Sequence, residues 1–185
     1  MNLEAGQWAF AYEKKNFNQA DNVYNTMVQA CRRLGLRVGE PQWMEVNSLA
    51  KPDEVNELID AKIKSKAKPD IVLFVLPRET YYSALKNACY KRGIVSQCLT
   101  FRLANRFNLA IASNVLRQMS MKLGGDSFFL RFEQVLEGTM LVGIDVSHAG
   151  HDSSIVGFCA TYNRSLSHYY SEVIKQKRKQ EIVDK

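Results

Sequence analysis

Hydrophobic and polar positions change their period several times along the chain, and each change marks an element. Trp8, Phe10 and Tyr12 alternate with Ala9 and Ala11, the period of a strand. Between residues 19 and 35, Ala20, Val23, Met27, Ala30, Cys31 and Leu34 recur at steps of three and four, which predicts a helix that stops at Gly35. The stretch 37–49 is interrupted by Pro41 and predicts only a short strand over 43–46. Pro52 suits a helix start, and Val55, Leu58, Ile59 and Ile63 give that helix an apolar face. Residues 71–76, Ile-Val-Leu-Phe-Val-Leu, are an unbroken apolar run, as expected of a central parallel strand covered on both faces. A turn at 77–80, a helix over 81–91 ended by Gly93, a strand over 94–101 and a helix over 105–123 stopped by Gly124-Gly125 complete the series.

Strand and helix therefore alternate four times, which predicts an α/β fold: a Rossmann-like sheet with flanking helices. Ligands of such sheets sit beyond the carboxyl ends of the strands, and the turn at 77–80 and the segment around Gln97 are the candidates for that edge. After Gly125 the pattern changes to strands over 128–130, 140–146, 154–162 and 168–174 with short connections, an antiparallel meander. We divide the chain into residues 1–130 and 131–185. The second part is too short for a core of its own and reads as the first strands of an incomplete domain.

Composition narrows the possibilities. The 185 residues are 46% hydrophobic, enough for a buried core, and four prolines with ten glycines argue against low complexity. A net charge of +6 favours an anionic partner, although part of it lies in the tail Lys175-Gln176-Lys177-Arg178-Lys179, whose simplest reading is a solvated end. Cys31, Cys89, Cys98 and Cys159 are scattered without zinc or redox spacing, which points to structural thiols in a reducing compartment. No apolar run approaches the ~20 residues of a membrane span, and the N-terminus lacks the order of a secretory signal. The expectation is a soluble monomer inside the cell, cytoplasmic or nuclear, with no membrane partner.

Candidate chemistry gathers between residues 80 and 125. Tyr82 and Lys86 are four apart, as are Asn114, Gln118 and Lys122, so each set shares a helix face. With Gln97 they could supply one aromatic ring, two ammonium groups and two amides to a phosphate carrying a base. Ring-on-base stacking is worth about 1–3 kcal/mol. Spacing alone favours a solvated helix face over a site. An enzyme acting on a nucleotide or sugar phosphate is a second reading, but no glycine-rich phosphate loop follows a strand and no Ser-His-Asp or paired-carboxylate set can be defended. A protein-interaction module is a third.

The longer pattern resembles the Argonaute/PIWI family. Tyr82-x-x-x-Lys86, Ser96-Gln97-Cys98, Asn114, Lys122-Leu123-Gly124-Gly125 and Gly143-Ile144-Asp145-Val146-Ser147-His148 follow one another as in its MID domain running into its PIWI domain. The resemblance covers most of the chain from Asp70 onward. It implies a MID module that anchors the 5′-phosphate of a small single-stranded guide RNA through Tyr82, Lys86, Gln97, Gln118 and Lys122, with Tyr82 also stacking on the first base. Arg78, Glu79 and Thr80 correspond to the loop that inspects that base, here short. Gln118 stands where the commoner pattern has a second lysine; this feature, with residues 154–158 and 180–184, leans to the PIWI branch. With one cation fewer, a bound Mg²⁺ becomes more attractive as a neutraliser of the first phosphates, although no cofactor is required. Asp145, in mid-strand, corresponds to the first metal ligand of an RNase H-like cutting site. One carboxylate cannot build a two-metal site, and we read His148, His151 and Asp152 as loop residues, so the chain is expected to bind RNA without cutting it. It is also expected to be an excised piece of a longer protein.

Overall fold

The structure, a computed structural model, describes residues 2–126, 138–148 and 153–177. The proposed strand at 128–130, His151, Asp152, and the 180–184 motif lie outside the described residues. The chain forms two compact units, Met1–Gly125 and Asp126–Lys185.

The first unit opens with β1 (Asn2–Leu3) and β2 (Trp8–Glu13), followed by α1 (Phe17–Arg33), β3 (Arg37–Val38), β4 (Gln42–Val46) and α2 (Pro52–Lys64). Then come β5 (Ile71–Leu76), α3 (Tyr82–Tyr90), β6 (Val95–Thr100), the short α4 (Phe101–Ala104) and α5 (Leu109–Lys122). Four strands form a parallel sheet in the order β4-β2-β5-β6. A separate parallel pair, β1 with β3, was not legible in the pattern.

Helices cover both faces of the sheet. Trp8, Phe10 and Tyr12 pack with Ile71, Leu73, Val75 and Leu99 beneath α1 and α5. Ala9 and Ala11 face the other way, with Val72, Phe74, Leu76 and Cys98 beneath α2 and α3. The alternation in β2 is thus one of large against small side chains, not of buried against exposed: all six of its residues are buried. Phe10 stacks on Trp43 at 5.3 Å between ring centroids.

The expected helix over 105–123 is shorter and starts later. Residues 101–104 form α4, capped by the Thr100 hydroxyl, which accepts from the Leu103 N–H at 3.3 Å. Asn108 begins α5, its side-chain oxygen accepting from the Ile111 N–H at 3.0 Å. Ala112, Val115, Leu116 and Met119 form the buried face of α5, and Gly124, at φ +83°, turns the chain out of the helix.

The second unit contains an antiparallel sheet, β7 (Val142–Ser147), β8 (Ser153–Thr161) and β9 (Tyr169–Lys177), paired in that order.

Candidate functional site

Among the described residues β6 is an edge strand, hydrogen-bonded to β5 alone within the sheet. Its side chains alternate, so Val95, Gln97 and Leu99 lie on the α5 side and Ser96 and Cys98 on the α3 side. Helices on opposite faces can therefore send long side chains round the open edge to one point. Lys86, one turn into α3, donates its ammonium to the Ser96 carbonyl at 2.7 Å. Lys122, the last residue of α5, donates to the same oxygen at 3.0 Å and to Gln97 Oε1 at 2.6 Å. Gln97 is buried, and its Nε2 donates to Gln118 Oε1 at 2.9 Å. Lys86 also lies 5.5 Å from the centroid of the Tyr82 ring, which is 48% exposed. Tyr82, Lys86, Gln97, Gln118 and Lys122 thus form one connected cluster.

Asn114 does not join it. Its side chain is exposed and accepts from Arg117 at 2.6 Å. The position of the cluster also differs from the expectation of a site beyond the strand carboxyl ends. Gln97 is the third residue of β6, opposite Leu73, so the site runs along the flank of the edge strand.

The electrostatics follow from this crowding. Lys122 is exposed as a residue, but its ammonium end is partly covered. That desolvation first, and the adjacent Lys86 second, push its pKa down to about 8 from 10.5. Burial raises the Cys98 thiol, opposed by the two lysines, and pushes Cys89 up to about 12. All four cysteines are free, and these two are protonated thiols at neutral pH, not thiolate ligands.

Two clefts border the cluster on α3. One, of about 370 Å³, is lined by Leu76, Glu79, Tyr82, Ser83, Cys98 and Thr100. It lies against the turn after β5, where Arg78, Glu79 and Thr80 are all exposed and Glu79–Tyr81 form a single 3-10 turn. The other, of about 460 Å³, includes Lys86 and Ser96. The Ser96 carbonyl is the hub that sequence reasoning missed. It is a backbone atom, so no side-chain identity signals it; only its place on an edge strand does.

Asp145, to which the resemblance assigns a metal-ligand role, lies in the second unit. The residue is exposed on β7, an outer strand of the three-stranded sheet formed by the described residues. Among the described residues no three His, Cys, Asp or Glu side chains converge as a metal site, and no helix is long and apolar enough to cross a membrane.

A family profile described as the Piwi domain matches residues 71–185. Piwi-like protein 1 of Gallus gallus is 30% identical over 186 residues, a match covering 96% of this chain and 20% of the relative. The chain therefore spans about a fifth of the length of such relatives. Among solved structures, Drosophila Piwi superposes with a TM-score of 0.78 at 22% identity, covering 91% of this chain and 24% of that one. Kluyveromyces polysporus Argonaute with a guide RNA gives 0.76 at 18% identity, covering 99% and 25%. Marinitoga piezophila Argonaute in complex with 5′ OH guide RNA gives 0.64 at 14% identity, covering 95% and 30%. At these identities the superpositions establish the fold.

Proposed function

The chain belongs to the Argonaute/PIWI family, and from that premise we propose that its first unit anchors the 5′-phosphorylated end of a small single-stranded guide RNA, inside the cell, as part of RNA-guided silencing. The observation that carries the reading is the pair of ammonium groups held on one backbone oxygen. Like charges are costly to hold together, and the cost is offset when a ligand brings up to two negative charges to the same point. Lys86 and Lys122 supply charge, Gln97 and Gln118 supply amide donors after their mutual bond rearranges, and Tyr82 offers its ring face to the first base.

The 5′ end is the point in question, because one structural neighbour was solved with a 5′ OH guide RNA. A terminal hydroxyl leaves two ammonium groups without an anion, which favours phosphate here. Fluorescence anisotropy with 5′-phosphorylated and 5′-hydroxyl RNA of one sequence tests this. Preference for the phosphorylated strand supports the reading, and equal binding reduces it to nonspecific charge.

Mg²⁺ fits as a second neutraliser, since Gln118 replaces a cation. The oxygens present are the Ser96 carbonyl and the two glutamine amides, with no carboxylate among the cluster's residues. A bound ion would take most of its ligands from phosphate and water, as Mg²⁺ prefers. Glu79 lines the cleft beside Tyr82, and with its neighbours Arg78 and Thr80 in the same exposed turn it is proposed to contact the first base. We assign this chain to binding and not to cutting: Asp145 would be one metal ligand, and an in-line two-metal reaction needs several. Incubating labelled RNA with the chain and Mg²⁺ should release no fragments.

A further inference from the structure

α2 ends in a run of cations. Lys62, Lys64, Lys66 and Lys68 alternate with Ile63, Ser65 and Ala67. Cations in the last turn of a helix answer the macrodipole, which accounts for Lys62 and Lys64. It does not account for Lys66 and Lys68, which lie past the helix end. Among the described residues none of the four forms an ion pair with a carboxylate. Asp60, four residues before Lys64, gives both its oxygens to Arg92, at 2.7 and 2.8 Å.

The turn also departs from the usual choice of residue. The Ala67 N–H donates to the Lys62 carbonyl at 3.0 Å and the Lys66 N–H to the Ile63 carbonyl at 3.1 Å, which closes the helix in a Schellman motif. Its left-handed position falls on Lys66, at φ +58°, where glycine is the favoured residue. A cation is thus kept where it strains the backbone, and such an outlier points to a role beyond the fold.

At the centre of the run is the Ser65 hydroxyl. The lysines stand three and one residues before it and one and three after it, and no other serine or threonine of the chain has cations at all four places. Ser65 is exposed. Its hydroxyl donates to the Lys62 carbonyl at 3.0 Å, an oxygen that already accepts from Ala67, so the turn holds without it. Opening the turn breaks exposed bonds at a helix end, where local unfolding costs least.

We propose that Ser65 is a phosphorylation site for a kinase that selects cations on both sides of its acceptor, a choice made by charge pattern. In the transfer, the Ser65 Oγ bonds to the γ-phosphorus of a nucleoside triphosphate, the bridging oxygen leaves with the nucleoside diphosphate, and the hydroxyl proton passes to the kinase's base. The phosphoserine brings up to two negative charges among four ammonium groups, whose charge-assisted bonds offset its repulsion by the helix C-terminus. Modification turns an unpaired cationic corner into a self-paired one. None of the residues assigned to the RNA 5′ end lies on α2 or in this turn.

Incubating the whole native chain with ATP and the catalytic fragment of protein kinase C, with casein kinase 2 as the acid-directed counterpart, tests this. About one phosphate per chain is expected from the first enzyme, placed on Ser65 by tandem mass spectrometry, and about ten-fold less from the second. Ser65→Ala should lose the label. Lys64→Gln/Lys66→Gln should slow labelling about ten-fold, as loss of charge-assisted contacts to the kinase would, at an unchanged melting temperature. The phosphorylated chain should leave a heparin column at lower salt than the unmodified one. No transfer to the native chain, label that persists in Ser65→Ala, or equal labelling by the two kinases overturns the proposal, as does a lysine double variant labelled as fast as wild type.

Discussion

Lys86 and Lys122 donate to the same atom, the Ser96 carbonyl oxygen, from helices on opposite faces of the sheet. A parallel edge strand with an unpaired flank makes this possible. The two residues are far apart in sequence and neither helix touches the other's face of the sheet, so the convergence is a product of topology.

Tyr82 is half exposed and caps no core cluster, so removing its ring should affect binding and not folding. Tyr82→Ala is expected to weaken 5′-phosphorylated RNA by about five- to a hundred-fold, the range of base–aromatic stacking. Anisotropy and a thermal melt on the same variant separate the two effects.

Lys122 gives the site a pH signature. Its pKa is about 8 in the folded chain against 10.5 ordinarily. Between those values the unfolded chain binds the proton more tightly, so this group's contribution to stability rises with pH across the window and is least below about 8. A bound phosphate restores opposite charge and raises the pKa, so binding in mildly alkaline solution takes up a proton and weakens as pH climbs above about 8. Calorimetry in two buffers of different ionisation heat reads the uptake directly, and Lys122→Met should abolish it.

Gln118 sets the role of magnesium. Binding of 5′-phosphorylated RNA should fall about ten-fold when Mg²⁺ is replaced by EDTA, about the worth of one charge-assisted contact. Gln118→Lys, which adds a cation beside Gln97, should remove most of that difference. Equal affinity of the wild type in Mg²⁺ and EDTA would count against any metal at the site.

The core under α1 and α5 should be intolerant of truncation. Phe10 is fully buried and stacked on Trp43, so Phe10→Ala is expected to cost about 3–5 kcal/mol in chemical denaturation.

Much of the fold was legible because the local signals agreed with one another. The apolar run at β5 and the three-four spacing of α1 each have one reasonable reading. Failures came where a feature depends on distant chain. The β1–β3 pair joins Asn2 to Arg37, a link that no local period signals. Helix spacing grouped Asn114 with Gln118 and Lys122, but the local bond to Arg117 holds it on the surface. Ser96 entered only as a member of a motif, and its role could not be read, since its contribution is a carbonyl that any residue would carry.

The most direct test compares how much the terminal phosphate adds to affinity in the wild type and in the Lys86→Met/Lys122→Met double variant, using 5′-phosphorylated and 5′-hydroxyl RNA of the same sequence at fixed salt. The account predicts that the phosphate strengthens wild-type binding by about a hundred-fold, as two charge-assisted contacts should, and adds almost nothing in the double variant. A phosphate preference that survives the loss of both lysines would contradict it.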